Sequence, residues 1–396
     1  MKIDGNPLSG LTPRDTVEEF WDASALDECM ARASALRVDD FLDAFGQYLG
    51  VEGGLYVFAR AHHALRSYLE ALPGDRPDVW ISSFNCPVVA DAVVDAGRRV
   101  RMFDFTDRSG HFDWAAIGHR LDRTTAAVIV PHFFGVPTDL RPVLDPARAL
   151  GVRVIEDCAH TLGGKIAGKM AGTWGDAAIF SFNYDKPISL GGGGLLLDQA
   201  GVVGPVVEAR IDLDSDKEEL AAFRGYLERR RAEIGRPRGS LVERIRRELR
   251  RRCMPGTSLG TFPVSGIGPL RAALGLWQLE RYDAVMKIRN EHAASLAECP
   301  GFAWPVSPEV SPAWLKQKVM PADRDGTTRV ALDMHAKGLR VGRFNWPKTV
   351  EEHLQLSLPE PHAGAWAHHA LDMPIHQNLT GQDLAALCAA LRELSS

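Results

Sequence analysis

The sequence has few cysteines, and none of them is arranged as a metal or disulfide motif. The six cysteines are scattered along 396 residues, and no two of them form a Cys-x-x-Cys pair. This spacing supports neither a zinc knuckle nor a disulfide scaffold, so we predict no metal site. Scattered cysteines in a chain of this length are typical of a reducing compartment, and we expect a cytoplasmic protein.

Long apolar runs and an excess of positive charge are also missing. No apolar run approaches the ~20 residues that span a bilayer, and the polar, acidic N-terminal segment lacks the apolar core of a signal peptide. The net charge of −5 gives no overall attraction to nucleic acid or to an anionic membrane surface. We therefore expect small-molecule partners, with no role for nucleic acid or a membrane.

From residue 55 onward, short apolar runs alternate with helical patterns. The apolar runs lie at 55–59, 79–84, 100–105, 126–135, 152–157, 177–182 and 193–198. The helical patterns lie at 62–72, 87–96, 141–150 and 218–234. Continuous apolar runs of this length indicate strands that are buried on both faces. Their alternation with helices predicts an α/β fold with a mainly parallel sheet.

The pattern divides the chain into three parts. Residues 1–52 form a helical lead, 53–256 a large domain with a basic helical excursion at 235–256, and 257–396 a smaller C-terminal α+β domain. The last part is predicted to contain a long helix from Leu270 to about Leu296 and a terminal amphipathic helix. Thr380 stands at the position that would cap the terminal helix.

Two of the predicted strands end in residues that can carry chemistry. The strand at 152–157 ends in Glu156 and Asp157, and ligands bind at the carboxyl ends of strands in open α/β sheets. Asp157 alone is equally well explained as a helix N-cap. The strand at 177–182 leads to Lys186 and then to four glycines. A buried lysine suits Schiff-base chemistry and glycines admit a bulky ligand, although a solvated loop lysine remains the favoured interpretation of Lys186 alone.

Taken together, the two motifs resemble those of the DegT/DnrJ/StrS-type sugar aminotransferases, a branch of the fold-type I pyridoxal-phosphate enzymes. That pattern is Glu-Asp, small residues and Gln or His, followed by a strand with Ser-Phe, a Lys and a Gly-rich tail. This sequence has EDCAH at 156–160, GTWGDAAIFSFNYDK at 172–186 and GGGG at 191–194. The resemblance extends over roughly 53–396, and it implies a mixed, mainly parallel sheet in a fold-type I aminotransferase-like large domain and a homodimer.

The resemblance also implies pyridoxal 5′-phosphate as the cofactor and assigns roles to individual residues. Lys186 would carry the cofactor as a Schiff base, and Asp157 would keep its pyridine nitrogen protonated. Ala159 would lie against the ring, His160 would donate to its phenolic oxygen, and Ser181 would bind its phosphate. The other predicted cofactor-binding residues are Arg60, Ala61, His62, Cys86 and Asn183.

Two segments depart from the family pattern. Ala61 and His62 stand where the family has Gly-Thr before the first large helix, so Arg60 or His62 would have to replace the threonine hydroxyl. A polar helix start explains the histidine equally well. In the family, the partner subunit contributes a loop to the site. The corresponding stretch of this sequence, 260–269, has no Asn or Arg, and Ser265 is its best polar candidate.

A third departure concerns the residue that covers the cofactor ring. Cys86 occupies a position that often carries a stacking aromatic residue in the family. The residues left to cover that face are Phe84, His62 and His63. The sequence does not decide between them.

We therefore predict a pyridoxal-phosphate-dependent aminotransferase that acts on a ketone of a nucleotide-linked sugar or a cyclitol, with glutamate or glutamine as amino donor. The alternatives are other chemistry of the same cofactor (a dehydratase, a condensing enzyme or a non-sugar aminotransferase) and a catalytically degraded cofactor-binding regulator. Residues 236–252 contain eight arginines and two glutamates. A solvated basic helix is the favoured interpretation of this stretch, and attraction of a phosphorylated acceptor is the alternative.

Overall fold

The computed structural model describes residues 21–183, 185–203, 267–297, 302–320, 348–358 and 362–395, together with positions 221, 334, 339, 341–343 and 346. Apart from position 221, the predicted helix at 218–234 lies outside the described residues. The arginine-rich stretch at 236–252 and Ser265 also lie outside them. So does most of the loop at 260–269.

A seven-stranded sheet organises the first half of the chain. Its strands are β1 (Leu55–Phe58), β2 (Asp78–Ser82), β3 (Arg99–Phe103), β4 (Thr125–Pro131), β5 (Arg153–Asp157), β8 (Ala177–Ser181) and β9 (Gly194–Asp198). Their order in the sheet is β1-β9-β8-β5-β4-β2-β3. Strand β9 runs antiparallel to both of its neighbours, and the other six strands run parallel to one another. The prediction of a mixed, mainly parallel sheet is confirmed.

Two smaller sheets follow. The strands β6 (Lys165–Ile166), β7 (Lys169–Met170) and β11 (Val310–Ser311) form a three-stranded sheet. The strands β10 (Phe302–Ala303), β12 (Gln317–Met320), β13 (Gly342–Arg343) and β14 (Leu371–Met373) form a four-stranded sheet.

Helices cover both faces of the large sheet. The helices are α1 (Ala23–Ala33), α2 (Val38–Leu49), α3 (Ala61–Ala71), α4 (Pro87–Asp95), α5 (Trp114–Arg120), α6 (Arg141–Leu150), α7 (Pro269–Leu279), α8 (Tyr282–Ala297), α9 (Val350–Leu354), α10 (Ala363–His369) and α11 (Gly381–Ser395). Ile81 and Ile129 pack in a core with residues of α3 and α4. Trp80 and Val130 pack in a separate core with residues of α5 and α6. Because successive side chains of a strand point to opposite faces, these neighbours enter different cores.

The segment before β12 crosses the turn that follows β4. The backbone N–H groups of Ala313 and Leu315 donate to the carbonyl oxygens of Gly135 and Phe134 at 2.8 and 2.9 Å. Gly135 has a φ of 90°, and a Cβ at this position would overlap the carbonyl oxygen of Ala313. Glycine is therefore required here, both for the backbone conformation and for the close approach.

The predicted long helix from Leu270 to about Leu296 is wrong in one respect, because it consists of the two helices α7 and α8. The guanidinium of Arg281 donates to the carbonyl oxygen of Trp277 at 3.0 Å, which helps to end α7. Tyr282 then turns inward, and its hydroxyl donates to the carbonyl oxygen of Leu162 at 2.9 Å. Burial of this ring outweighs the continuous helical propensity of the segment.

The predicted cap of the terminal helix is confirmed. The hydroxyl of Thr380 accepts from the backbone N–H of Asp383 at 3.2 Å, and the carboxylate of Asp383 accepts from the N–H of Thr380 at 2.8 Å. This reciprocal pair satisfies two N–H groups at the start of α11. Within the described segments, none of the helices combines the length and apolar character that a membrane span requires.

Candidate active site

A cavity of about 690 Å³ lies at the carboxyl ends of the parallel strands of the large sheet. All ten residues that the sequence predicted for the site line it: Arg60, Ala61, His62, Cys86, Asp157, Ala159, His160, Ser181, Asn183 and Lys186. They lie at or just after the ends of β1, β2, β5 and β8, which meet at one edge of the sheet. This is where ligands bind in open α/β sheets.

Asp157 is the last residue of β5 and points into the cavity. Burial raises the pKa of its carboxyl group, whereas a hydrogen bond from the backbone N–H of Ala159 at 3.1 Å and the positive charge of Lys186 lower it. A cation placed against this carboxylate would offset the cost of its burial. The site therefore favours a ligand with a protonated nitrogen next to Asp157.

Lys186 lies in the loop between β8 and β9. Its side chain is 13% exposed, and its ammonium lies 3.7 Å from a carboxylate oxygen of Asp185. The backbone N–H groups of Leu190 and Gly192 both donate to the carbonyl oxygen of Phe182, at 2.9 and 3.1 Å. These bonds fold the loop back on itself and keep the lysine at the cavity wall.

His160 lies between two aromatic rings at the cavity wall. The ring of Trp346 stacks on it at 5.7 Å and 10°, and the ring of Phe134 is tilted against it at 5.6 Å and 32°. Burial lowers the pKa of His160 well below its usual range, and the positive charges of Lys186, Lys316 and Lys318 act in the same direction. His160 is therefore neutral and carries one N–H donor.

A buried charged cluster stands behind His160 and was not predicted from the sequence. Lys316 and Lys318 are both fully buried, and both ammonium groups pair with the carboxylate of Asp372, that of Lys316 at 3.1 Å. Their ammonium nitrogens lie 5.6 and 5.3 Å from the ring centroid of Phe134, within the range of cation–π contacts. The cluster adds to the positive potential around His160.

The start of α3 forms one end of the cavity. The rings of His62 and His63 lie 4.5 Å apart, and burial, His63 and Arg60 together lower the pKa of His62 to about 3. The pKa of His63 is also lowered, first by burial. A Cβ at Gly194 would overlap the backbone of Ala61, so glycine lets this helix start lie directly against β9.

Cys86 and Phe84 differ in their relation to the cavity. Cys86 lines it, and burial raises the pKa of its thiol to about 11, so the thiol is neutral. Phe84 is fully buried among aromatic rings, with Trp304 stacked at 5.9 Å, and is not part of the cavity wall. Of the candidates for covering a bound ring, the two histidines at 62 and 63 therefore lie at the cavity, and Phe84 does not.

Glu156, His132 and Cys158 are close enough together to suggest a metal site, but hydrogen bonds already occupy the first two. Glu156 accepts from Nε2 of His132 at 2.9 Å. It also accepts from the backbone N–H groups of Gly172, Trp174 and Gly175, at 2.7, 2.7 and 2.8 Å. Nδ1 of His132 accepts from the N–H of Thr138 at 2.9 Å, which fixes the proton of this ring on Nε2. The network holds the wall behind Asp157 in place.

The cavity is also lined by polar and aromatic residues that were not predicted from the sequence: Asn85, His132, Phe133, Asp185, Arg271 and Trp346. His132 and Phe133 follow β4, the neighbour of β5, and could have been found from that position alone. Arg271 and Trp346 come from distant parts of the chain, and no local pattern marks them.

Comparisons with known proteins find an aminotransferase family and its relatives. Residues 23–202 match the model of the DegT/DnrJ/EryC1/StrS aminotransferase family. The match covers a little under half of the chain, and this part of the chain is similar to that family. The resemblance predicted from the sequence motifs is thereby confirmed, and the matched residues include both Asp157 and Lys186.

Individual relatives carry related names. The chain is 36% identical over 131 residues to a UDP-N-acetyl-3-dehydro-alpha-D-glucosamine 3-aminotransferase of Acidithiobacillus ferrooxidans, covering 33% of this chain and 35% of the relative. It is 27% identical to the GDP-perosamine synthase of Caulobacter vibrioides, covering 72% and 67%. The crystal structure of AtS13 from Actinomadura melliaura has a TM-score of 0.71 at 25% identity, covering 97% of this chain and 99% of that one. The sequence matches thus span between about a third and two thirds of these curated relatives.

Proposed function

We propose that this protein is a pyridoxal-phosphate-dependent aminotransferase that acts on a ketone of a nucleotide-linked sugar or a cyclitol, with glutamate or glutamine as amino donor. The observation that carries the proposal is the placement of Asp157 and Lys186 in one cavity at the carboxyl ends of β5 and β8. The match to the family model supports the cofactor, since these aminotransferases use pyridoxal phosphate.

The residues of the cavity fit this cofactor. Asp157 is a buried carboxylate that a protonated pyridine nitrogen would stabilise, and Lys186 is an amine held at the cavity wall. Ala159 leaves room for a flat ring, and His160 offers a single N–H donor for a phenolic oxygen. The phosphate would lie near Ser181 and the start of α3.

Pyridoxal phosphate, when bound, supplies an electron sink that allows an amino group to leave an amino acid and join a ketone. Asp157 would keep the ring nitrogen charged throughout, because a protonated nitrogen would stabilise its buried carboxylate. Nζ of Lys186 would hold the cofactor between turnovers. Its free amine would move the proton from Cα of the donor to C4′ of the cofactor and, with the second substrate, from C4′ to the acceptor carbon. Neutral His160 would orient the ring.

Two features favour amino transfer over the alternatives. Family members that dehydrate usually lack the lysine, and Lys186 is present and lines the cavity. A catalytically degraded regulator is disfavoured, because Asp157 and Lys186 are both present and both line the cavity. The relatives named above act on nucleotide-linked sugars by their names, which motivates the same substrate class here.

The test is spectroscopic and then chemical. The purified protein with pyridoxal phosphate should show an absorbance band near the visible–ultraviolet boundary, and glutamate or glutamine should shift it. A screen of keto-sugar nucleotides and cyclitol ketones should then restore the original band with formation of an amino product. A band that no amino donor shifts would overturn the proposal in favour of a cofactor-binding regulator.

We further propose a cytoplasmic homodimer with shared active sites. The proposal is motivated by the family pattern, in which a partner subunit contributes a loop to each site. Sedimentation analysis at several concentrations, with activity measured on each species, tests it. A fully active monomer would contradict it.

A further inference from the structure

The cavity is basic at one end and aromatic at the other. Arg60 follows β1, and the glycines at 191–193 precede β9, so both lie on the β1 side of the sheet. Phe133 follows β4 on the opposite side. Trp346 joins this aromatic end through its stacking on His160. The two ends therefore present different chemistry to one ligand.

The fixed positive charge of the basic end comes from arginine and not from histidine. His62 and His63 have lowered pKa values because burial disfavours their charged forms, and so both are neutral near pH 7. Arg60 and Arg271 are the arginines among the described residues that line the cavity. A guanidinium presents two parallel N–H groups to a phosphate or carboxylate, which a neutral imidazole cannot do.

Packing brings Arg271 to the basic end. A Cβ at Gly193 would lie 2.9 Å from a methyl carbon of Ile267, so the segment that leads into α7 contacts the glycine run. One α7 residue, Gln278, accepts from the N–H of Ser189 and donates to its carbonyl oxygen, both at 2.9 Å. Arg271 stands two helical turns before Gln278 and so projects from the same face of α7. That face meets the loop that carries the lysine and the glycines.

We propose that Arg271 binds a phosphate group at the basic end of the cavity, either that of the cofactor or that of a phosphorylated acceptor. The inference rests on the proposed function, because it takes the cavity to hold a phosphorylated ligand. The start of α3 offers Ala61, His62 and His63, none of which has a hydroxyl group. Ser181 is the hydroxyl side chain among the described lining residues, so a dianion at this end depends on the guanidinium groups for charge.

The experiment compares ligands that differ only in phosphate. Arg271→Met removes the guanidinium at similar length, and Arg271→Lys keeps the charge without the paired N–H groups. Arg281→Met is the matched control, because Arg281 lies just beyond α7, is 41% exposed, packs over Trp277 at 4.1 Å and does not line the cavity. The dissociation constants of pyridoxal 5′-phosphate and of pyridoxal are measured on the apoprotein, and that of uridine diphosphate on the holoprotein.

Two results support the proposal and identify the source of the phosphate. If Arg271 binds the cofactor's phosphate, Arg271→Met raises the dissociation constant of pyridoxal phosphate by about 10- to 100-fold and leaves that of pyridoxal unchanged. If Arg271 binds the acceptor's phosphate, the dissociation constants of pyridoxal phosphate and pyridoxal are unchanged, and that of uridine diphosphate rises by a similar factor. In either case Arg271→Lys gives an intermediate loss, and Arg281→Met gives none.

Two other results overturn it. One is that none of the three constants changes in Arg271→Met. The other is an equal loss for pyridoxal and its phosphate, which would show a structural role for Arg271. Failure of the proposed function would be recognised separately, in the wild-type protein, as cofactor binding with no response to any amino donor.

Discussion

Replacing Glu156 with glutamine tests the buried network that supports the cofactor acid. Glu156 is fully buried, and its two carboxylate oxygens accept four hydrogen bonds. Glutamine has nearly the same shape but offers one oxygen and one NH₂ group. Each carboxylate oxygen of Glu156 accepts from two N–H groups. Whichever way the amide of the glutamine turns, its NH₂ group replaces one of these oxygens and faces two N–H donors.

The cost follows from the number of donors left without an acceptor. With NH₂ on one side, the N–H groups of Trp174 and Gly175 lose their partner; on the other side, Gly172 and His132 do. His132 cannot simply move its proton, because its Nδ1 already accepts from an N–H group. A buried unsatisfied donor costs about 1–3 kcal/mol, so two predict a loss of about 2–6 kcal/mol in the free energy of unfolding.

Urea unfolding of the apoprotein at neutral pH measures this loss. The matched control is Glu280→Gln, because Glu280 is 48% exposed and forms surface ion pairs with Arg32 and Arg281 at 2.9 and 3.1 Å. Exposed pairs contribute about 0–1 kcal/mol, so the control should change little. If Glu156→Gln loses no more stability than the control, the four hydrogen bonds do not support the fold as described.

Two more predictions follow from charge in the cavity. Because burial lowers the pKa of His160 and His62, the unfolded chain binds protons below about pH 6.5 that the folded chain does not, and stability is lost as the pH falls. Between pH 7.5 and 5, the free energy of unfolding should fall by up to about 1.4 kcal/mol per pH unit for each histidine. The slope should be smaller in His160→Gln, and an unchanged slope would contradict the buried neutral ring. Asp157→Asn should retain the cofactor but lose on the order of 10²-fold or more in transamination rate, and near-normal turnover would reduce Asp157 to a capping residue.

The large sheet could be predicted because most of its strands are apolar along their length, and β2, β4 and β9 are buried on both faces. Each of the seven predicted apolar runs overlaps an observed strand, such as 152–157 and β5 (Arg153–Asp157). The ends of two buried strands made Asp157 and Lys186 candidates for one site. Only the resemblance of the two motifs to the aminotransferase family assigned them joint roles.

Features that depend on distant contacts could not be predicted. Lys316, Lys318 and Asp372 have the composition of a solvated surface, and only tertiary packing places them together in the interior. Phe84 was a reasonable candidate to cover the cofactor ring, but the surrounding aromatic rings bury it away from the cavity. The break at Arg281 has no local signal, because it is caused by the burial of the following tyrosine.

Finding which lysine holds the cofactor tests the role of Lys186 directly. Borohydride reduction of the protein loaded with pyridoxal phosphate makes the attachment permanent, and peptide mapping by mass spectrometry then locates it. We expect a single modified residue, Lys186, and loss of the modification in Lys186→Ala. This variant should still fold, because the side chain lies at the cavity wall. A label on any other lysine, or unchanged labelling of Lys186→Ala, would contradict it.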